Sequence, residues 1–110
     1  MSETLQANFV VPDLSALVTE IGEESIVSRT VYKDDGVRVI LFGFAAGEIL
    51  SEHTSSYPAV LHFLEGQAAV TLGEESIEAQ PGTWVHMPAH LPHSIKAETV
   101  VKMLLLMLVE

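Results

Sequence analysis

Glycine and proline recur along this chain too often for long helices. Seven Gly and five Pro divide it into apolar runs that end on turn residues every eight to ten positions. Ser25–Tyr32 (SIVSRTVY) alternates, with Ile26, Ser28, Thr30 and Tyr32 opposite Val27, Arg29 and Val31. Lys33-Asp34-Asp35-Gly36 follows, and then Val37–Phe44 (VRVILFGF). Two runs of β-branched and aromatic residues joined through Asp-Gly read as a hairpin. The second run is apolar on both faces, as in a strand covered on both sides. Ala59–Leu64, Gln67–Leu72, Ser76–Gln80, Thr83–Met87, Ser94–Ala97 and Val100–Leu108 repeat the rhythm. No helical period lies between them, so the pattern predicts an all-β antiparallel sandwich or barrel.

Ahead of the first hairpin, Asp13 sits where it would cap a short helix with Leu14, Leu17, Val18 and Ile21 on one face and Gly22 as its stop. A turn or an extra edge strand competes for the same residues. Residues 1–24 are therefore expected to be an N-terminal arm packing on the barrel or on a partner, and residues 25–110 the barrel domain. A chain of 110 residues builds one core. With no Cys, thiolate zinc sites and disulfide scaffolds are excluded. Five basic residues against fifteen acidic ones, a formal charge of −10, leave no phosphate-neutralising patch, so nucleic acid is not an expected partner. Residues 1–8 lack a basic and apolar leader pattern, and the apolar run Val100–Val109 is half a bilayer span. A cytoplasmic protein without a membrane partner is the expectation.

All five His fall between positions 53 and 93, at His53, His62, His86, His90 and His93. Their frame is regular. Gly47, five residues and His53 open one block that closes at Gly66; Gly82, five residues, Pro88 and then His93 make a second. In these features residues 47–97 resemble the cupin family, whose two motifs read Gly, five residues, His-x-His, three or four residues, Glu, six residues, Gly, and Gly, five residues, Pro-x-Gly, two residues, His, three residues, Asn. The resemblance implies a double-stranded β-helix, the jelly-roll barrel, with a short N-terminal arm.

The resemblance also implies a metal site of three imidazoles and a carboxylate, suited to Ni, Fe, Mn, Zn or Cu, and no organic cofactor. Here only His53 and His93 carry over. Ser55 stands for the second His, Ala59 for the Glu, His90 for the Gly of Pro-x-Gly and Ala97 for the closing Asn. His62 is a weak third ligand: if Ala59 faces inward, so do Leu61 and Phe63, and His62 faces out unless a bulge intervenes. His90 could swing either way, Glu48 and Glu52 flank the first motif, and His86 is more simply a sheet residue beside Trp84.

Ser55, Tyr57, Ala59, Leu61 and Phe63, with the two imidazoles, are the expected pocket residues, with Tyr57 either a gate or an exposed turn residue. The absence of the Glu opens space and favours an anionic or aromatic small molecule. The expected function is binding of a small organic molecule, with a divalent metal on His53 and His93 left open. The alternative is a metal-dependent dioxygenase, isomerase or decarboxylase. Ala59–Leu64 and Val100–Leu108 are apolar on both faces, more than so small a barrel can bury, so a homodimer formed by sheet packing is also expected.

Overall fold

The turn after the first strand forms as its residue types dictate. Oδ1 of Asp34 accepts from the N–H groups of Gly36 (2.8 Å) and Val37 (2.9 Å), and the Tyr32 hydroxyl donates to Oδ2 at 2.8 Å. An Asp that satisfies the two following amides closes the chain on itself and sets the hairpin's register. The computed structural model describes residues 8–109. Nine strands follow one another in it: β1 (Ile26–Lys33), β2 (Arg38–Phe44), β3 (Ile49–His53), β4 (Ala59–Glu65), β5 (Ala68–Leu72), β6 (Glu75–Ala79), β7 (Trp84–Met87), β8 (His93–Ala97) and β9 (Val101–Met107).

The strands form two antiparallel sheets, ordered β1-β2-β9-β4-β7 and β3-β8-β5-β6. This is the expected all-β jelly roll. Alternation along each strand sends one set of side chains between the sheets. There Phe44, Leu61, Phe63, Val70, Ile95, Val101 and Met103 form the core.

The arm makes a four-residue 3-10 turn, Leu14–Leu17, and not a helix running to Gly22. Asp13 makes no side-chain capping bond and Val18 is already extended, so nothing holds a longer helix. Leu14, Leu17, Val18 and Ile21 nevertheless share one side, packed on Leu41 and Leu104 on the outer face of the larger sheet. Two cations pin the segment there. Arg29 Nη1 donates to the Leu17 carbonyl (3.2 Å), and Lys102 Nζ donates to that of Ser15 (2.8 Å). Gly43 lets the arm come close, since a Cβ there would stand 2.7 Å from Ile21 Cδ1. The arm thus covers β2 from outside, which accounts for the apolar residues on both faces of that strand. Among the described residues no helix is long and apolar enough to cross a membrane.

Candidate functional site

A shift of register brings the two motif histidines together. Along β3 and β8 the pairs run Ile49↔Lys96 and Leu50↔Ile95, so an unbroken ladder would set Glu52 opposite His93. One extra residue on β3 puts His53 there instead. Bulges re-aim side chains in this way. The imidazole centroids lie 4.2 Å apart with the planes at 58°.

Each ring is fixed by its own backbone. Nδ1 of His53 lies 2.8 Å from the Ser51 carbonyl oxygen, and Nδ1 of His93 lies 2.8 Å from that of Leu91. His53 stands exposed at the rim, whereas His93 is only 6% exposed. Burial lowers the His93 pKa below the usual imidazole value, with the neighbouring His53 charge acting the same way and the Leu91 carbonyl opposing both.

The pair borders a cavity of about 330 Å³. Ile40 and Phe42 of β2 and Leu105 and Met107 of β9 form its apolar wall, which Ala59 and Met87 complete. Thr54 and Ser55 add hydroxyls beside the imidazoles. Ser55 Oγ accepts the Tyr57 N–H at 3.1 Å and lies 4.0 Å from Met107 Sδ, tying the loop after β3 to the end of β9. The His90 N–H donates to the Ser55 carbonyl at 2.7 Å, joining the two motif loops. His90 holds φ at +70°, the left-handed conformation for which the motif ordinarily supplies Gly. A larger groove of about 490 Å³, lined by Phe9, Val11, Leu14, Val31, Tyr32, Val39 and Leu104, is the seam between arm and sheet. It contains neither motif histidine, so we place the candidate site in the smaller cavity.

Of the residues expected at the pocket, His53, His93, Ser55 and Ala59 line it. Leu61 and Phe63 do not: both face inward, but they lie deeper along β4, 2% and 0% exposed in the solid core. Tyr57 is an exposed turn residue outside the lining, contributing its backbone amide to Ser55. His62 is no part of the site; it pairs with Trp84 and Leu104 on alternate positions to Ala59 and Leu61, so it lies on the other face of the sheet. Glu48, Glu52 and His90 do not line the cavity either. Ile40, Phe42, Thr54, Met87, Leu105 and Met107 went unanticipated. For Ile40, Phe42, Leu105 and Met107 the signal was inward parity on strands outside the motifs; Met87 has the same parity inside the second motif, and Thr54 sits in the loop after β3, where alternation gives no signal.

A cupin-domain family model matches residues 40–109. The chain belongs to the cupin family. It is similar to a cupin superfamily protein from Desulfitobacterium hafniense, with 31% identity over 88% of each chain and a TM-score of 0.82. It also resembles a conserved protein of unknown function from Streptococcus pyogenes, with 28% identity over 91% of this chain and 87% of that one and a TM-score of 0.81. A protein from Thermus thermophilus shares the fold at 24% identity over 89% and 95% of the chains, with a TM-score of 0.80. No curated protein matches the chain.

The residues of this cupin do not fit the family's four-ligand metal set. Ser55 and Ala59 occupy two of the ligand positions, and among the described residues no group of three or more His, Asp or Glu is placed to hold a metal ion. Two imidazoles supply half of a usual first-row coordination sphere, and no carboxylate lines the cavity to balance the charge.

Proposed function

We propose that this cupin binds a small organic molecule in the cavity between its sheets, gripped by the apolar wall and anchored at the His53–His93 pair. The observation that carries the reading is the cavity's make-up: an apolar wall of Ile40, Phe42, Ala59, Met87, Leu105 and Met107 that turns polar only at Thr54, Ser55 and the two imidazoles. Apolar concave sites with a few convergent polar groups are the general form of small-ligand pockets, and about 330 Å³ lies at the small end of their range. A single-ring compound is the right scale. A divalent ion on His53 and His93 would have to complete its sphere with water or the ligand itself, and binding of the organic molecule does not depend on it.

The test uses two methionines in the lining as reporters. In the full chain labelled at methionine methyls with ¹³C, phenol, anisole and benzoate are titrated while Met87, Met107 and the core residue Met103 are followed. Met87 and Met107 should shift with at least one probe while Met103 stays still, and Ala59→Phe, which fills the cavity, should abolish the response. The reading fails if neither lining methyl responds. Metal analysis of the purified protein and of His53→Ala and His93→Ala decides the rival: stoichiometric metal lost in both variants would put a metal-dependent enzyme in its place.

A further inference from the structure

Both imidazoles of the site are held in one tautomer. The Ser51 and Leu91 carbonyl oxygens, each 2.8 Å from a histidine Nδ1, can only accept. Each Nδ1 therefore carries the hydrogen, and each neutral ring is left with an unprotonated lone pair at Nε2. Neither Nε2 has a hydrogen-bond partner among the described residues. No buried side-chain nitrogen or oxygen there lacks a partner, so Nε2 of the buried His93 must remain open to the cavity. The neutral pair thus offers two acceptors and no donor. No Lys or Arg lines the cavity, and the Ser55 hydroxyl is engaged with the Tyr57 amide and Met107. An anion placed here would meet two lone pairs and an apolar wall with the Thr54 hydroxyl as its side-chain donor, which is costly without a cation. A hydroxyl would find what it needs.

We infer that the ligand is a neutral, hydroxyl-bearing compound with an apolar ring, whose O–H donates to Nε2 of the His53–His93 pair. This rests on the pocket reading above and narrows it. Of the anionic and aromatic ligands that the missing Glu made room for, the aromatic one is retained and the anion set aside. Selection follows from the same geometry: a compound that has the ring but cannot donate leaves Nε2 of His93 desolvated and unpaired.

The test compares phenol, anisole and benzoate on the EDTA-treated full chain at pH 8.5. Phenol keeps its proton there, since phenolic groups titrate at about 10. Phenol should bind roughly tenfold more tightly than either of the others, the scale of one hydrogen bond to a desolvated acceptor. That preference should disappear in His93→Phe. Long-range ¹H–¹⁵N correlation on the wild-type protein keeps the inference testable even if the variant misfolds. Both rings should carry hydrogen on Nδ1, and the Nε2 resonances should move when phenol is added. Nε2–H tautomers would overturn the inference. So would benzoate binding best, or the three probes binding alike while Met87 and Met107 still respond; the pocket reading would then survive. If no probe moves those methyls, the pocket reading falls with it.

Discussion

Gly66 and Gly82 adopt nearly the same backbone, at φ +85° and +97°, yet replacing them with Ala should have very different consequences. A Cβ on Gly82 would meet nothing within 4 Å, whereas one on Gly66 would run into the Val100 carbonyl oxygen and stand 2.9 Å from Thr99 Oγ1. The nearest of these atoms belongs to the backbone, which cannot swing aside as a side chain can. The β4–β5 turn is laced to the β8–β9 turn by the Gln67 amide on Thr99 Oγ1 and the Glu98 amide on the Gln67 carbonyl, so relief means parting two turns. Gly82→Ala should cost roughly 1–2 kcal/mol, the left-handed penalty alone. Gly66→Ala adds an overpacking term of about 1–3 kcal/mol, for a total of about 2–5 kcal/mol. In a domain near this size about 1 kcal/mol moves the midpoint by roughly 4–8 °C. Thermal melts followed by circular dichroism should therefore show Gly66→Ala losing about twice as many degrees as Gly82→Ala, or more. Equal losses would refute the packing argument, because the two glycines share the left-handed backbone and differ in what an added Cβ would meet.

Three further outcomes follow from the same structure. The unfolded chain protonates at its ordinary His value of 6.5, while folded His93 resists until lower pH; its contribution to stability is therefore complete above the unfolded value, is lost as pH falls towards the folded one, and is level below both. Melts at pH 8 and pH 5 should accordingly differ more for the wild type than for His93→Phe, and an equal difference would count against burial as the cause. His90→Gly should raise stability by roughly 0.5–1 kcal/mol by removing a side chain from the left-handed region, net of the entropy that Gly adds to the unfolded chain. A lower melting temperature would mean that the His90 side chain makes a contact worth more than that strain. The homodimer expected from the surplus of apolar strand faces has its test at Trp84, 62% exposed beside His62 on edge strand β7: light scattering should report a dimer for the wild type and a monomer for Trp84→Glu, and a monomeric wild type would end that expectation.

The jelly roll was legible because glycine, proline and period-two alternation are local signals, and the two motif frames added the order of the strands. Alternation also put Ala59, Leu61 and Phe63 inside and His62 outside, which the pairings of β4 with β7 and β9 reproduce. Depth along a strand was not legible. Successive inward residues stand two rises apart, so facing inward admits Ala59 to the cavity and consigns Leu61 and Phe63 to the packed core. Nor does local patterning say which strands close the mouth. Ile40, Phe42, Leu105 and Met107 read as ordinary core residues until pairing of β2 with β9 sets Ile40 against Leu105. The bulge that exchanges Glu52 for His53 opposite His93 leaves no trace in composition, yet it decides whether the site presents one imidazole or two.

Ligand binding here depends on these two rings standing side by side on an open cavity with Nε2 unoccupied. A crystal structure of the full chain soaked with phenol would show this at atomic detail. The predicted result is an aromatic ring against Phe42, Leu105 and Met107, with its oxygen within hydrogen-bond distance of a histidine Nε2. Imidazoles turned away from each other, or a cavity closed by side chains, would contradict it.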